Sequence, residues 1–585
     1  MFKKWTVIIV SAYFLSGCGG GSGSSESSVE VISVSDMKPK SSIIKPGEQV
    51  LFTWSIVNEA GLSLSCSLDT NDDGIFETAL NNCNDVANIT FINTGEKAVV
   101  LHVETPNGTV VATSVMVTVS DIEFTVDSTA DSADTLSGDG VCMSFNNTCT
   151  LRAAVMEANA LSAQGLPVFI NLPANTYPLT IDSTNENTAL DGDLDITGKV
   201  VIRGAGSSTT IVDASLANDR VFNVLDNALL EITGVSIQGG YAIQGAGFLI
   251  SKADVKFNDV IIKNNVATFG GGGGIYAIGT LEATNLVVEN NTADDFGGGI
   301  YMSGLNNSLD MSNSKIKNNQ VNYLGGGIYA TNGDIKLNNC EISNNTAGVQ
   351  GGGIYGTGAN FTVIDSTIST NTSKGPGGGI FNTAAPFKLI SSTVEGNVTS
   401  ENSGGGIYNL ASGIGYAFQI INSTLSGNIT AFNGAGIWNR GSMSIAFTTI
   451  TNNQSNKSGG GIFLDNFPSA LADLKGVVLS GNTALENGPD CIGDITSAGY
   501  NLFGSTLGCS VTANQGDLTG LDPFLITLSD NGGLTKTHLF TLESPVINAI
   551  PYSDCKDLTG NLLIADQRGS KRQSINACDI GSVEF

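Results

Sequence analysis

The chain has 585 residues, 73 of them glycine, and only 14% of its residues are charged. Its 26 Lys and Arg against 54 Asp and Glu give a formal charge of −28 at pH 7. The length predicts several domains, and such a negative surface disfavours nucleic acid as a partner. It also disfavours an anionic polysaccharide unless a divalent cation bridges the two surfaces.

Residues 1–17 predict a secretory leader rather than part of the fold. Two lysines precede an apolar run from Trp5 to Leu15, which is too short to span a bilayer as a mature helix. The phrase Leu-Ser-Gly-Cys that ends at Cys18 resembles the bacterial lipobox, in which the cysteine is lipidated. That resemblance implies a lipid anchor on Cys18 in the outer membrane, followed by a flexible tether over 18–29. The alternative is an ordinary secretory leader with a chance cysteine.

Residues 30–120 predict short alternating strands separated by Pro and Gly turns, which favours a β-sandwich of immunoglobulin size. The phrases Phe-Thr-Trp-Ser at 52–55 and Cys-Ser-Leu-Asp at 66–69 resemble PKD-type modules of bacterial surface proteins. The predicted strands are Glu30–Ser35, Gln49–Ile56, Ala98–Glu104 and Val110–Val119.

One loop of this domain carries oxygen ligands at alternate positions. Asp69, Asn71, Asp73 and Glu77 predict a partial Ca²⁺ site. The twelfth position of an EF-hand loop would be Leu80 rather than Glu, so a complete EF-hand site is not expected. The alternative is a polar hairpin turn.

Residues 121–165 predict a cap for the structure that follows. Thr150 can N-cap a helix, and one face of that helix is apolar. The residues of this face are Leu151, Ala154, Val155 and Ala158. The phrase Cys-Thr-Leu-Arg-Ala-Ala from Cys149 resembles the Cys-Ser-Leu-Arg-Glu-Ala segment found before bacterial β-helices. Because the first coil of a solenoid has an open core, we expect this helix to close it.

Three carboxylates of an early coil, Asp191, Asp193 and Asp195, recur at period 2. They could hold Ca²⁺, but we favour a solvated strand face, which needs no metal.

Residues 166–490 predict a solenoid of stacked coils. From Asn265 to Asn482, a phrase of Asn, several polar or small residues, a Gly run, Ile and an aromatic recurs at spacings of 25, 28, 26, 26, 27, 30 and 25 residues. Such a period is typical of one supersecondary unit that stacks on its neighbours. The aromatic residues are Tyr276, Tyr301, Tyr329, Tyr355, Phe381, Tyr408, Trp438 and Phe463.

Two columns of like residues predict how the coils stack. The repeated Asn are Asn265, Asn291, Asn319, Asn345, Asn371, Asn397, Asn428, Asn453 and Asn482. An aliphatic residue lies three positions before each Asn and alternates with polar residues, so this stretch is a strand with one inward face. Like residues at one period predict parallel stacking at about 4.8 Å per coil, with the Asn side chains in a hydrogen-bonded ladder. The sequence therefore predicts an all-β chain whose main body is a right-handed parallel β-helix.

The repeats also resemble a known family. Gly-Gly-Gly-Ile-Tyr and Ile-Lys-Asn-Asn at 316–319 are similar to the Gly-Gly-x-Ile and Phe-x-x-Asn phrases of polymorphic outer-membrane proteins. The resemblance implies a pectin-lyase-like β-helix at the cell surface. It leaves the function open, because this fold carries adhesins and polysaccharide enzymes alike.

Residues 491–585 predict a C-terminal cap. Asp-Gln-Arg-Gly at 566–569 and Cys-Asp-Ile-Gly-Ser-Val-Glu at 578–584 resemble the C-terminal segment of surface β-helices of the choice-of-anchor-Q type.

The ten cysteines indicate export. Cys340 lies in an inward column of small residues and is predicted to be a buried thiol. The other eight, apart from Cys18, are expected to pair with their neighbours in sequence, although sequence alone permits many other pairings. The expected disulfides are Cys66–Cys83, Cys142–Cys149, Cys491–Cys509 and Cys555–Cys578.

The residues do not indicate a catalytic site, and none is assigned. The repeat region has no His, since the two histidines are His102 and His538, and Arg440 is its one Arg. Outward charges change sign from coil to coil, as at Lys315 and Glu341, which favours solvated ion pairs.

The aromatic column is the remaining candidate for binding. If the Ile of each repeat points inward, the aromatic after it points outward, and the column forms an exposed stripe that can stack on sugar rings. The alternative is an aromatic stack that is buried or covered by turns. The long turn at 409–418 is a further candidate for a lateral site.

These observations favour a monomeric, lipid-anchored β-helix exposed on the bacterial outer membrane. It would serve in adhesion or in binding a polysaccharide or a host or cell-surface glycan, without catalysis. The alternative is a polysaccharide lyase or a related carbohydrate-active enzyme on the same fold. No cofactor is required, and Ca²⁺ is the one candidate ion.

Overall fold

The structure, a computed structural model, describes residues 32–585 except 60, 72–74, 81, 84–85, 109, 163–166, 183–186, 411–416, 469 and 573–576. The predicted leader, the tether and Cys18 lie outside the described residues. The chain forms two compact units that divide between Ser120 and Asp121.

Two sheets form the N-terminal unit. The first has antiparallel strands Ile32–Pro39, Gln49–Asn58 and Ala87–Thr90. The second has strands in the order Ile43–Ile44, Val110–Val119, Gly95–Glu104, Ser65–Asp69 and Thr78–Leu80. Phe52 from the first sheet shares one apolar core with Leu68 and Leu101 from the second. The predicted β-sandwich is therefore confirmed, because each alternating strand gives one face to this core.

Helix α1, Leu151–Ser162, lies at the start of the second unit. Thr150 is its predicted N-cap, since Thr150 Oγ1 accepts a hydrogen bond from the Ala153 amide at 3.1 Å. The predicted apolar face of α1 is buried in the solenoid core. No helix among the described residues combines the length and apolar character needed to cross a membrane.

From Ile122 onward the chain winds into parallel sheets, which we name A, B and C in the order that one coil meets them, with a narrow sheet D after C. Sheet A holds Leu194–Ile196, Phe222–Val224, Ile300–Ser303, Ile328–Thr331, Ile354–Thr357, Ile380–Thr383, Ile407–Asn409, Ile437–Asn439 and Ile462–Leu464. Sheet B holds Ile122–Thr125, Val168–Leu172, Lys199–Gly204, Ser308–Ser312, Asp334–Asn338, Asn360–Ile364, Phe387–Ile390, Ala417–Ile421, Ser442–Ala446, Leu471–Lys475 and Cys509–Thr512.

Sheet C, which carries the site described below, follows sheet B after a tight corner. Its strands are Asn175–Pro178, Thr210–Asp213, Lys315–Lys317, Glu341–Ser343, Thr367–Ser369, Thr393–Glu395, Thr424–Ser426, Thr449–Thr451, Val478–Leu479, Leu502–Phe503 and Leu518–Thr519. Sheet D holds Tyr241–Ala242, Val266–Ala267, Thr292–Ala293, Gln320–Val321, Thr346–Ala347, Thr372–Ser373, Val398–Thr399, Ile429–Thr430, Gln454–Ser455 and Thr483–Ala484. Long strands that bend between sheets A, B and C are Leu229–Gln238, Phe248–Lys263, Ile275–Glu289 and Cys491–Ser497.

The two predicted columns organise the interior. The aliphatic column is fully buried, as at Ile316, Ile342 and Ile368. From Asn265 to Asn482, the Nδ2 of each repeated Asn donates to the Oδ1 of the next at 2.8–3.0 Å. A buried amide needs partners, and an identical amide one coil away supplies them. The predicted register of the solenoid is therefore confirmed.

Each of the three glycines in a Gly-Gly-Gly-Ile phrase is required for a different reason, which the coil at 351–353 illustrates. Gly351 adopts a left-handed φ of 65°, which other residues rarely adopt. A Cβ on Gly352 would lie 2.4 Å from the Gly378 carbonyl oxygen of the next coil. A Cβ on Gly353 would lie 2.9 Å from the ladder amide of Asn371. The glycine run is therefore required by the turn, the neighbouring coil and the Asn ladder together.

The C-terminal region differs from the predicted cap. The coils continue through Leu518–Thr519, so the β-helix extends beyond residue 490. The described parts of residues 521–585, which we call the return segment, then run back along the outer face of sheet C. The return segment includes the strands Ile550–Pro551 and Ala577–Cys578 and the 3₁₀ helix Tyr552–Asp554. It covers outward apolar residues of the solenoid, including Phe447 and Val478, which an end cap would leave in water.

Candidate functional site

The aromatic column faces outward as predicted, but it is not an exposed stripe. Adjacent rings from Tyr276 to Trp438 have centroids 4.0–5.2 Å apart. The rings meet edge to face from Tyr276 to Tyr329 and are stacked from Tyr329 to Trp438. Tyr329, Phe381 and Trp438 expose 8%, 4% and 5% of their surface, and Tyr276, Tyr301, Tyr355, Tyr408 and Phe463 are half-buried. Burial raises the pKa of Tyr408 to about 12. The exposed-stripe prediction is wrong for the three buried rings, because neighbouring rings pack on both sides of Tyr329 and Phe381, and Trp438 packs between Tyr408 and Arg440.

The loop predicted to bind Ca²⁺ forms hydrogen bonds within itself. Glu77 Oε2 accepts hydrogen bonds from the Thr70 amide at 2.8 Å and from the Thr70 hydroxyl at 3.0 Å. Asp69 Oδ1 accepts one from the Asn71 amide at 3.0 Å. Asp73 lies outside the described residues, so binding of Ca²⁺ by this set stays a prediction. Across the part of the chain that the structure describes, no group of three or more His, Cys, Asp or Glu is arranged to hold a metal ion.

The acidic run at 191–195 is not a solvated strand face, which corrects the interpretation favoured from the sequence. Asp195 is fully buried and Asp193 is 6% exposed. Asp193 Oδ2 lies 2.5 Å from Arg220 Nε, and Asp195 Oδ1 accepts a hydrogen bond from Asn223 at 2.7 Å. Burial and the Asp195 carboxylate raise the pKa of Asp193 to about 8. These groups form an internal polar cluster near helix α1, where Arg152 donates to the Asp193 carbonyl oxygen at 3.2 Å.

Two other residues considered from the sequence have structural partners. Arg440 Nη2 lies 2.5 Å from Asp465 Oδ2, at the end of sheet A. His538 is buried in the return segment, where its Nδ1 donates to the Ile526 carbonyl oxygen at 2.6 Å. Its Nε2 therefore accepts from the Ser426 hydroxyl at 2.9 Å. The predicted long turn at 409–418 lies partly outside the described residues.

The cysteines form the expected pairs. The structure joins Cys66–Cys83, Cys142–Cys149, Cys491–Cys509 and Cys555–Cys578. Cys340 is a buried free thiol, and burial raises its pKa to about 11. Its amide donates to the Ser366 hydroxyl of the next coil at 3.0 Å. A protonated, buried thiol is a poor nucleophile, so Cys340 is a packing residue.

A cleft of about 480 Å³ lies on the outer face of sheet C, where the return segment begins to cover that face. One wall is the sheet itself, at Lys315, Glu341 and Thr367. The opposite wall is the return segment from Asp530 to Lys536. Because it combines a rigid sheet with a loop and several polar side chains, this cleft is the candidate functional site.

One column of sheet C faces outward and consists of Lys315, Glu341, Thr367, Thr393, Thr424 and Thr449. The exposure of these residues shows where the cleft closes. The Lys315 and Glu341 side chains are 55% and 39% exposed, whereas Thr393, Thr424 and Thr449 are at most 1% exposed. Thr393 donates to the Lys536 carbonyl oxygen at 2.7 Å, Thr424 donates to Gln567 Oε1 at 2.6 Å, and Thr449 accepts from the Ser582 amide at 3.1 Å. The change from charged residues to Thr in this column was visible in the sequence. It does not by itself mark the covered coils, because Thr367 of the same column lines the open cleft.

The charges of the cleft are mostly paired. Lys315 Nζ lies 3.1 Å from Glu341 Oε2, and Lys536 Nζ lies 2.7 Å from Glu395 Oε1. Burial opposes ionisation of Glu341, but the hydrogen bond from Ser343 and the ion pair with Lys315 lower its pKa. Burial raises the pKa of Asp365, which lies at the corner between sheets B and C. Two carboxylates in one cleft thus have their pKa values moved in opposite directions.

The family described as right handed beta helix region matches residues 199–367, and the Chlamydia polymorphic membrane protein repeat matches residues 447–465. No curated protein matches the chain. A solved structure that matches is the family 28 exopolygalacturonase of Yersinia enterocolitica, at 9% identity and a TM-score of 0.17, over 77% of this chain and 99% of that chain. The chain contains a right-handed parallel β-helix whose repeats resemble those of polymorphic membrane proteins.

Proposed function

We propose that this protein is a non-enzymatic, surface-displayed β-helix that binds a glycan in the cleft of sheet C. The observation that carries the proposal is the cleft itself, which lies between a rigid sheet and the return segment. Its lining is rich in amides, hydroxyls and carboxylates, which are the groups that bind sugar hydroxyls. Thr367 and Ser369 from the sheet and Asn339 from the corner supply them from neighbouring coils.

The direction in which a glycan would lie follows from the burial of sheet C. The outer face is open at Lys315 and becomes fully covered at Thr393. A linear glycan would therefore run along the open coils and end against Lys536 and its neighbours. Coils repeat similar polar groups at about 4.8 Å along this direction, which suits a ligand made of repeated units.

Display on the outer membrane is part of the same proposal. The lipobox-like phrase at Cys18 would supply the anchor. More than one acyl chain on this cysteine would make the attachment to the membrane stable. The repeat that matches residues 447–465 is named for membrane proteins of Chlamydia, which supports a place at a bacterial surface.

The proposal is tested by filling the cleft. We expect Thr367→Arg to abolish binding on a glycan array and in calorimetry with the glycans that bind the unaltered protein. Ser444→Arg is the matched control, because Ser444 is a half-buried outward residue of sheet B, away from the cleft. Binding that survives Thr367→Arg, or is lost equally in Ser444→Arg, would contradict the assignment of the cleft.

One observation favours an enzyme as the second candidate. Asp365 and Glu341 line the same cleft, and their pKa values are raised and lowered respectively. Such a pair is typical of a general acid and a general base, as in glycoside hydrolysis. Incubation with uronate polysaccharides and Ca²⁺ would reveal unsaturated products of a lyase, and a reducing-sugar assay would reveal a hydrolase. If Asp365→Asn abolished the turnover, the cleft would be a catalytic site rather than a binding site. If Arg440→Ala abolished the turnover, the catalytic site would lie outside the cleft.

A further inference from the structure

We propose, resting on the glycan-binding function above, that the cleft selects glycans that carry a protonated primary amine, and that Asp365 binds this amine. The ligand class is therefore an amino sugar polymer or a glycan that ends in an amino sugar. The proposal rests on the placement of Asp365 at the corner of sheets B and C, on its unpaired carboxylate, and on the balance of charges around it.

The corner occupied by Asp365 is a repeated structural position. Asn313, Asn339 and Asp365 take it in successive coils, with left-handed φ values of 50°, 52° and 50°. Asn is well suited to this conformation, and one coil's amide can bind the next. Asn339 Nδ2 donates to Asn313 Oδ1 at 2.7 Å in this way. Asp365 ends this run of amides, because a carboxylate has no N–H to donate.

Two other polar residues at this corner position, Asp259 and Asn422, have side-chain partners. Asp259, in an earlier coil, accepts a hydrogen bond from the Ser207 hydroxyl at 2.8 Å. Asn422, in a later coil, donates to the Ala565 carbonyl oxygen at 2.8 Å and accepts from Arg572 at 3.0 Å. Among the described residues, the Asp365 carboxylate has no hydrogen-bond or ion-pair partner, although it is half-buried. A carboxylate that is partly desolvated and unpaired carries a free-energy cost that a bound cation would remove.

The charges around Asp365 favour a cation over an anion. The lining contains two lysines and four carboxylates, and each lysine is already paired, with Glu341 or with Glu395. Asp530, the other carboxylate without an ion pair, accepts a hydrogen bond from the Gly532 amide at 3.1 Å within its own turn. The surplus charge of the cleft is therefore negative and lies on Asp365 and Asp530, and of these two carboxylates only Asp365 accepts no hydrogen bond from the described residues. An ammonium group offers three donors to this carboxylate and to the neighbouring hydroxyl and amide oxygens.

The substitution that tests the proposal is expected to fold. Asp365→Asn keeps the size of the side chain and introduces the residue that Asn313 and Asn339 already place at this corner. The new amide can extend the run of amides from Asn339, so the free energy of unfolding should be unchanged or raised. A loss of binding in Asp365→Asn therefore reports on the ligand rather than on folding.

The probes are a glucosamine hexamer and its fully N-acetylated counterpart, which differ in the charge on nitrogen and the acetyl group. We expect calorimetry to show at least about tenfold tighter binding of the glucosamine hexamer, the size expected for a charge-assisted hydrogen bond. Asp365→Asn should reduce this preference to less than about threefold and leave the N-acetylated probe unaffected. Binding of glucosamine should also weaken as the pH falls through the raised pKa of Asp365, because a protonated carboxyl cannot form the ion pair.

The chain offers a control for unspecific attraction between a cationic probe and a protein of charge −28. Asp473→Asn removes the same charge from an exposed position on sheet B and should leave the preference intact. A preference that falls equally in Asp473→Asn and Asp365→Asn would overturn the assignment. Equal binding of both probes would overturn amine selectivity and leave glycan binding in place. Absence of binding to both probes and to a neutral glycan array would contradict the proposed function itself.

Discussion

The outer face of sheet C has two halves that share a backbone and differ in what touches them. In the open half, Lys315 and Glu341 project into water and form a cross-coil ion pair at 3.1 Å. In the covered half, Thr393, Thr424 and Thr449 occupy the same column and bind the return segment. The strands continue in register through both halves.

This difference shows that the inward residues determine how the coils stack, whereas the outward residues depend on whether water or the return segment contacts them. A buried hydroxyl needs a partner, and Thr offers one donor and one acceptor at little cost in side-chain entropy. A buried Lys or Glu in the same place would be far more costly. The boundary between the open and the covered half of sheet C is also the closed end of the cleft, at Lys536 and Glu395.

The largest effect is expected where the return segment binds most deeply. Arg572 is fully buried and donates to the Gly581 carbonyl oxygen at 2.7 Å and to Asn422 Oδ1 at 3.0 Å. Arg572→Met should lower the free energy of unfolding of the β-helix by about 3–5 kcal/mol, because it leaves the buried Glu584 without its cation. Urea denaturation measures the loss, and the adjacent exposed Lys571→Met is the control. A loss of less than about 1 kcal/mol would show that the return segment is not held through this residue.

A paired substitution compares the two halves within one column. Thr424→Val should cost about 1–3 kcal/mol, because Gln567 Oε1 loses a buried donor. Thr367→Val, two coils earlier in the open half, should change the free energy of unfolding by no more than about 0.5 kcal/mol. Chemical denaturation of both variants under identical conditions gives the difference. Equal losses would remove the distinction between the covered and the open half.

The interior of the solenoid could be predicted because its signals are periodic. Each ladder Asn binds the equivalent Asn one coil away, so a column of like residues in the sequence is already a list of contacts. The path of the return segment could not be predicted in this way. Gln567 and Thr393, which bind each other at 2.9 Å, are 174 residues apart and belong to no repeat.

Exposure was the second quantity that the sequence did not determine. Alternation correctly placed the aromatic after each inward Ile on the outer side, but it could not show that Tyr329 and Phe381 would be buried there. Period 2 likewise favoured a solvated face at Asp193 and Asp195, which the structure buries beside Arg220. Which face a residue occupies follows from local geometry, whereas what covers that face depends on distant segments.

A smaller effect, dependent on pH, is expected at His538 in the covered half. Burial lowers the pKa of His538, against the opposing effects of the Ile526 carbonyl and Glu395, so the folded state favours the neutral imidazole. The unfolded chain binds the proton more readily, and stability must therefore rise with pH in this range. The unaltered protein should lose stability relative to His538→Gln as the pH falls below about 6.5. Parallel stability curves for the two proteins between neutral and mildly acidic pH would contradict this expectation.

The smallest effect is expected for the ion pair of the open half. Lys315 and Glu341 are 55% and 39% exposed at the side chain, so solvent screens their attraction. A double-mutant cycle of Lys315→Ala and Glu341→Ala should give a coupling energy of no more than about 0.5 kcal/mol. The same cycle at Lys536 and Glu395 should give a larger value, because the Glu395 side chain is only 15% exposed and the pair joins the return segment to the sheet. If the two cycles gave equal coupling, burial by the return segment would not be what separates the halves, and the open coils would be held as firmly as the covered ones.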